Sequence, residues 1–199
     1  MISLVDYGAG NMASVRKAFE HLELATEIID KPEQVIKAKK LVLPGVGNFK
    51  SLEKLEQTGI RTAIAESIAR GVPFLGICLG MQWLFETSTE APEVKGLGIF
   101  PGRCARFTEI PRTLHVGWNQ ISFRNGASRL FQGIADSSYF YFTHSYWCPI
   151  ESSSCATSRF QTEFAAALEK KNVFGVQFHP EKSSDSGLRI LKNFGELPC

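Results

Sequence analysis

The sequence lacks several features that would assign it to common classes of protein. Nowhere in its 199 residues does an apolar run approach the roughly 18 residues of a membrane-spanning helix. The amino-terminal stretch has no basic region ahead of its short apolar segment, so we expect no signal peptide. Its 22 basic and 20 acidic residues are scattered, which disfavours a nucleic-acid or membrane surface. We therefore expect a cytoplasmic protein that binds neither nucleic acid nor membranes.

Patterned cysteines and nucleotide-binding loops are also missing. The five cysteines are odd in number and show no C-x-x-C spacing, which disfavours a disulfide framework and a zinc site. We predict that all five are reduced thiols: Cys78, Cys104, Cys148, Cys155 and Cys199. The turn at residues 6–11 has neither the third glycine of a dinucleotide fingerprint nor the lysine of a P-loop. This turn is therefore interpreted as a plain tight turn, and we expect no metal and no cofactor.

The pattern of apolar segments predicts one α/β domain over residues 1–199. A hydrophobic content of 44% suffices for a single core in a chain of this length. Residues 1–80 alternate short apolar strands with helical patterns, as a parallel sheet covered by helices requires. The strands are predicted at 2–6, 27–30, 41–43, 74–77, 165–169 and 173–178, and the helices at 11–23, from about 52, 61–70 and 186–194. Three further runs, at 103–107, 115–123 and 139–147, are predicted as antiparallel strands added to the sheet. The fold class is thus an open, mostly parallel sheet flanked by helices with added antiparallel strands.

One cysteine lies in the sequence form of a nucleophile elbow. Cys78 follows an apolar strand and opens a helical segment, with Gly76 and Gly80 on either side. At such a turn the backbone is strained, and flanking glycines remove side chains that would collide where strand and helix cross. The adjoining helix N-terminus favours a thiolate. The pattern predicts a nucleophile, against the alternative of a cysteine that only fills the core.

A second apolar strand ends in a histidine and a carboxylate two positions apart. In extended chain, His179 and Glu181 face the same way. Together with Cys78 they form a candidate triad of nucleophile, general base and orienting group. The alternative interpretation is that His179 is a structural histidine at the end of a strand. His21 is predicted to be exposed, and His115 and His144 to be structural or near the site.

Two other segments carry open alternatives. The residues after the third strand, Pro44-Gly45-Val46-Gly47, are either a strand-end turn or a source of backbone amides for an oxyanion hole. The aromatic run at 139–147 is too apolar for a strand that has one face exposed to solvent. It is predicted to be buried on both faces or covered by another protein.

These motifs resemble a known family. GICLGMQ with QFHPEKS is similar to the class I, triad-type glutamine amidotransferases, whose fold is flavodoxin-like. The segments YGAGN, LPGVGNF, HVGWN, YFYFTHSY and HPEKSSDSG resemble, over residues 2–194, the glutaminase subunits of imidazole glycerol phosphate synthase. One departure is Thr113-Leu114 before the HVGWN segment, where those subunits commonly have a proline, and it concerns local loop geometry.

The resemblance implies an activity and its residues. Cys78, His179 and Glu181 would hydrolyse L-glutamine, with oxyanion donors from Leu79 and the Val46-Gly47 turn. The amino-acid part of glutamine would be held by the following residues: Gln82, Thr143, His144 and Ser145.

The resemblance also implies a partner. A (β/α)8-barrel cyclase would form a heterodimer with this chain, receive the ammonia, and make imidazole glycerol phosphate and the aminoimidazole carboxamide ribonucleotide for histidine synthesis. The residues that match its interface are Asn11, Trp118, Tyr141 and Lys182, which otherwise read as a helix cap, two core aromatics and a surface cation. Two alternatives are a paralogous amidotransferase serving another barrel partner, for example in amidino sugar synthesis, and a non-catalytic regulatory subunit.

Overall fold

The computed structural model describes residues 1–108, 113–124, 126 and 128–198. Cys199 lies outside these residues. Thirteen strands are formed within them: β1 (Ile2–Val5), β2 (Thr26–Ile29), β3 (Leu41–Gly45), β4 (Phe74–Cys78), β5 (Thr87–Ser88), β6 (Arg103–Arg106), β7 (His115–Gln120), β8 (Ser122–Phe123), β9 (Tyr139–His144), β10 (Tyr146–Trp147), β11 (Ser154–Arg159), β12 (Glu163–Lys170) and β13 (Val173–Val176). The α-helices there are α1 (Met12–His21), α2 (Pro32–Lys37), α3 (Glu53–Gln57), α4 (Ile60–Ala69), α5 (Leu79–Gln82) and α6 (Ser184–Glu196). Short 3-10 helices span Phe49–Leu52, Arg129–Phe131 and Pro180–Lys182. In the described part of the chain, no helix is both long and apolar enough to cross a membrane.

Eight strands form one sheet in the order β2-β1-β3-β4-β13-β12-β11-β8. The half from β2 to β13 is parallel, and β12, β11 and β8 continue it with antiparallel pairing. This confirms the predicted α/β class. Because β4 and β13 are parallel neighbours, their carboxyl ends meet at the same edge of the sheet, where open α/β sheets bind their ligands.

The parallel strands form because their sequences are apolar on both faces. All residues of β1, β3, β4 and β13 are buried, as expected for strands covered by helices on either side. Two apolar clusters result, one on each face of the sheet. The helix α1 contributes Val15, Ala18 and Phe19 to the first, while His21 at its end is exposed, as predicted. The helix α2 was not predicted.

The prediction for the added strands is wrong in part. Of the three runs at 103–107, 115–123 and 139–147, only β8 joins the large sheet. The strands β7 and β9 pair as a separate two-stranded sheet, and β10, β6 and β5 make a third sheet. The strand β11, which does join the large sheet, was missed. Its side chains include two serines and a threonine, so its sequence does not show the apolar pattern of a buried strand.

Two local predictions also need correction. The third strand does not stop before Pro44, since β3 runs through Gly45 and pairs Pro44 with Ile77 of β4. Proline is tolerated there because β1 on the other side pairs β3 only at Leu41 and Val42, so no ladder bond is lost. Of the two alternatives for the run at 139–147, burial on both faces of β9 is wrong, because Phe140, Phe142 and His144 are buried while the residues between them are not, and cover by another protein stays a prediction.

Candidate active site

Cys78 ends β4 in a strained backbone conformation. Its φ is 52° and its ψ is −105°, a region that costs a non-glycine residue about 1–3 kcal/mol. The helix α5 begins at the next residue. A Cβ on Gly76 would overlap the Gly80 backbone, and one on Gly80 would overlap the Leu43 carbonyl oxygen. The steric reason given above for the two glycines is thereby confirmed.

His179 and Glu181 form a buried pair beside this elbow. The His179 Nδ1 donates to Glu181 Oε1 at 2.8 Å, and both side chains are 1% exposed. The backbone of His179 is fixed as well, because its N–H donates to the Tyr141 carbonyl at 2.9 Å and its carbonyl accepts from Ser183 Oγ at 2.6 Å. The Pro180–Lys182 3-10 helix follows His179 at once, in place of the extended chain expected from the sequence, and it brings the Glu181 carboxylate to Nδ1. The imidazole is thus held at Nδ1 and through its own backbone.

The electrostatic surroundings of His179 favour its protonated form. Burial lowers the pKa of the imidazole, but the nearby Cys78 and the Glu181 carboxylate outweigh this effect and raise the pKa to about 10. The ring nitrogen that does not bond Glu181, Nε2, is buried and has no hydrogen-bond partner among the described residues. A cationic imidazole with one uncommitted N–H is suited to share a proton with Cys78 and with a leaving group.

A cavity of about 420 Å³ opens in front of Cys78. It is lined by every residue predicted as an oxyanion donor or a glutamine contact, namely Val46, Gly47, Leu79, Gln82, Thr143, His144 and Ser145. Gln82 Nε2 donates to the Tyr146 carbonyl at 3.0 Å and to Gln177 Oε1 at 3.2 Å. Both amide hydrogens of Gln82 are therefore engaged in the wall, which leaves its Oε1 as the acceptor for a bound molecule.

Two charged residues in the cavity wall were missed by the sequence analysis. Glu90 accepts the backbone N–H of Phe49 at 2.7 Å, and partial burial raises the pKa of its carboxyl group, against the influence of Phe49 and Arg106. Arg106 lies at the end of β6 on the same cavity. Each is a lone charged residue outside the motifs, and only the tertiary fold brings it to Cys78. Among the described residues, the cavity wall thus has one acidic and one basic side chain.

The turn after β3 lies at the cavity. Gly47 has a φ of 111°, a conformation that favours glycine, and a Cβ built on it would meet nothing within 4 Å. Val46 and Gly47 both line the cavity, so their backbone is on the same cavity wall as Cys78.

The four residues matched to a partner interface are brought together in part. Trp118 and Tyr141 pair across β7 and β9 with ring centroids 6.2 Å apart, and Lys182 Nζ lies 5.8 Å from the Tyr141 ring centroid. Trp118 is 50% exposed, so it is not a core aromatic. Asn11 precedes α1, and its side chain makes no capping hydrogen bond. Val116 and Tyr139, each 54% exposed, extend the outer face of β7 and β9 as an apolar surface.

The remaining histidines are buried on the inner face of these two strands. His144 Nδ1 donates to the Tyr146 carbonyl at 2.8 Å, so its Nε2 accepts from His115 Nδ1 at 3.0 Å. His115 also stacks between Phe142 and Phe160, at centroid distances of 4.8 and 4.6 Å. Burial lowers the pKa of His115 to about 4 and that of His144 to about 3. Both are therefore neutral at pH 7.

These two histidines predict a loss of stability in mild acid. A folded-state pKa below the unfolded value means that the unfolded chain binds the proton first, so stability falls as the pH drops below about 6.5 and continues to fall towards pH 4. The expected loss is about 2 kcal/mol per histidine between pH 7 and pH 5. Urea unfolding at both pH values measures it. The His115→Phe variant should lose less stability on acidification than the unsubstituted chain. The control His21→Gln, at an exposed site, should lose as much as the unsubstituted chain. An equal loss in all three proteins would refute the assignment.

Comparisons with known proteins give a consistent assignment. The family model "Glutamine amidotransferase class-I" matches residues 3–196. The chain is 48% identical over 200 residues to the imidazole glycerol phosphate synthase subunit HisH of Moorella thermoacetica, covering 98% of this chain and 94% of that protein. It is 47% identical to the HisH subunit of Pyrococcus furiosus over 200 residues, covering 98% of each. A HisH subunit from Chlorobaculum tepidum is 45% identical over 205 residues, covering 99% of this chain and 100% of that one.

Solved structures share the fold. A crystal structure of a glutamine amidotransferase aligns with a TM-score of 0.76 at 19% identity, covering 98% of this chain and 100% of that one. The structure of PurLQS from Thermotoga maritima aligns with a TM-score of 0.75 at 17% identity, covering 97% and 96%. The chain belongs to the class I glutamine amidotransferase family and, within it, to the imidazole glycerol phosphate synthase HisH subunits.

Proposed function

We propose that this chain is the glutaminase subunit of a cytoplasmic imidazole glycerol phosphate synthase, which releases ammonia from L-glutamine for histidine biosynthesis. The observation that carries the proposal is the arrangement at the sheet edge: Cys78 on a strained elbow, the buried His179 and Glu181 pair beside it, and a cavity of about 420 Å³ in front. That volume suits a small amino acid, and no separate cofactor is needed for thiol-based acyl transfer.

The polar lining of the cavity matches the two ends of glutamine. Glu90 and the free acceptor Gln82 Oε1 would take the α-ammonium group, while the backbone at residues 143–145 and the charge of Arg106 would take the α-carboxylate. Charge-assisted hydrogen bonds of this kind fix both position and orientation. The substrate carboxamide would then point at Cys78.

The reaction follows from these positions. The Cys78 thiolate attacks the carboxamide carbon, and the oxygen becomes an oxyanion that the Leu79 amide and a reoriented Val46-Gly47 turn stabilise. His179, held by Glu181, donates its proton to the leaving nitrogen, so ammonia departs and a glutamyl thioester remains on Cys78. His179 then takes a proton from water, and the resulting hydroxide attacks the thioester carbon, so the Cys78 sulfur leaves as the thiolate, glutamate is released and His179 is again protonated.

Ammonia is a useful nucleophile only while it stays unprotonated and does not escape to solvent. We therefore propose that a (β/α)8-barrel cyclase covers the apolar outer face of β7 and β9, around Trp118, Tyr141 and Lys182, with Asn11 near its edge. Exposed apolar patches of this kind favour partner binding. The cyclase would use the ammonia to make imidazole glycerol phosphate and the aminoimidazole carboxamide ribonucleotide.

Glutamate release from glutamine tests the proposal. We expect a low rate for the purified chain alone and a rise of about 100-fold or more with the cyclase and its nucleotide substrate, because the Val46-Gly47 turn completes the oxyanion hole only in the complex. The control is the cyclase with an unrelated nucleotide. No glutamate release in the complex would refute the glutaminase assignment and favour a regulatory subunit. Release without stimulation would favour another acceptor partner.

A further inference from the structure

A directed chain of hydrogen bonds ends on the sulfur of Cys78. It starts at the Tyr146 carbonyl, which can only accept, and this fixes the orientation of the Gln82 amide that donates to it at 3.0 Å. Gln82 Nε2 also donates to Gln177 Oε1 at 3.2 Å. Gln177 Nε2 then donates to Cys78 Sγ at 3.6 Å. The orientation of the Gln177 donor is thus set by the Tyr146 carbonyl, two hydrogen bonds away.

Gln177 has no freedom to turn its amide round. The residue follows β13 and is fully buried, and its backbone N–H donates to the Ala166 carbonyl at 2.9 Å. Its Oε1 accepts from Gln82 and also faces the Cys148 thiol at 3.9 Å. A flipped amide would set two donors against each other at Gln82, so the N–H must point at Cys78.

The sulfur of Cys78 has partners of opposite kinds. As a thiol it can donate to the Thr143 carbonyl, which lies at 3.9 Å. As a thiolate it accepts from the Gln177 amide and has no proton left to donate to the Thr143 carbonyl. Hydrogen bonds to an ionised acceptor are shorter and about twice as strong as neutral ones, so the Gln177 contact favours the thiolate.

Other ionisable groups also act on this sulfur. His179, from the segment after β13, interacts electrostatically with Cys78, and burial together with Cys78 raises the pKa of the Tyr7 phenol well above its usual range. The titratable and charged side chains around Cys78 are Tyr7, Glu90, Cys104, Arg106, His144, Cys148, His179 and Glu181. The Gln177 amide does not titrate, so it is a neutral donor among these groups.

We propose that Gln177 is a further catalytic residue, which donates a hydrogen bond to the Cys78 thiolate and holds the nucleophile ionised, as a partner of the His179 imidazolium. Its importance for turnover rests on the proposed glutaminase function, but its effect on the sulfur does not. The chain from Tyr146 also links the glutamine-binding Gln82 to the nucleophile.

The rate of Cys78 alkylation by iodoacetamide against pH tests the proposal in the purified chain, followed by mass spectrometry of the Cys78 peptide. Gln177→Leu keeps the volume and removes the donor, so the pH profile of the alkylation rate should move about one unit to higher pH. At pH values where the thiol is fully ionised, the rate should return to that of the unsubstituted chain. Gln57→Leu, at an exposed helix position, is the matched control and should leave the profile in place.

Gln177→Glu is the second variant, because it keeps the shape of the side chain and places a carboxylate against the sulfur. It should move the profile at least as far as Gln177→Leu. An unmoved profile in both variants, or a rate lowered equally at every pH, would overturn the proposal and leave Gln177 with a packing role. Since neither glutamine nor a cyclase is present, a shifted profile supports the inference even if the glutaminase assay fails.

Discussion

Replacing Cys78 with alanine should abolish glutamine-dependent synthesis by the assembled complex, by a factor on the order of 10⁴ or more. Without the sulfur there is no atom to form the thioester, and the neighbouring His179 cannot substitute because Glu181 holds it in place. Synthesis from added ammonium salts should persist within about twofold, since ammonia that enters the cyclase directly bypasses the glutaminase chemistry. The two assays, run on one preparation, separate loss of the nucleophile from loss of the complex.

Cys155→Ala is the matched control for this substitution. Cys155 is also a buried free thiol, but it lies on β11, three strands away from β4 in the sheet, and burial raises the pKa of its thiol to about 12. Both activities of this variant should stay near those of the unsubstituted complex. Glutamate release that survives in Cys78→Ala would contradict the assigned nucleophile.

Replacing Gly80 with alanine should destabilise the fold by about 3 kcal/mol or more, although a glycine-to-alanine substitution at an ordinary helix position has a far smaller effect. The added methyl group would overlap the Leu43 carbonyl of β3, and neither the strand nor α5 can retreat, because Gly45 Cα also packs closely against Leu79 and Gly80. Chemical denaturation measures the loss. Glutaminase activity should fall with it, because the elbow cannot keep the Cys78 backbone conformation.

Gly195→Ala distinguishes this clash from a general glycine effect. Gly195 also lies in a helix, and an added Cβ there would meet the tip of the Leu24 side chain, which can move aside. The control should stay within about 1 kcal/mol of the original stability. Equal stability of the Gly80 and Gly195 variants would show that α5 does not pack against β3 as closely as described.

The sequence was most informative where a local constraint fixes both residue type and position. The flanking glycines of Cys78 mark the elbow because no other residue fits between β4, α5 and β3. The parallel strands were predictable because both of their faces are apolar. The roles of Cys78, His179 and Glu181 stay predictions until the variants are measured, although the fold does bring the three to one edge.

The remaining features depend on contacts distant in sequence. Glu90 reaches the cavity through its bond to Phe49, and no local pattern distinguishes it from other acidic residues. The strand β11 is buried although polar, because Thr157 and Ser158 donate to Glu163 and to the Gln120 carbonyl. The separate sheet of β7 and β9 follows from a long-range register, which periodicity alone does not specify.

The position of β13 has a consequence for the newly made polypeptide. This strand comes last in the chain but lies between β4 and β12 in the middle of the sheet. A nascent chain on the ribosome that still lacks it has an open slot beside β4, and Cys78 has neither its histidine nor Gln177. On the roles proposed for His179 and Gln177, the reactive thiolate would form only once β13 and the residues after it are in place, so a stalled or truncated product would lack both groups that act on the sulfur.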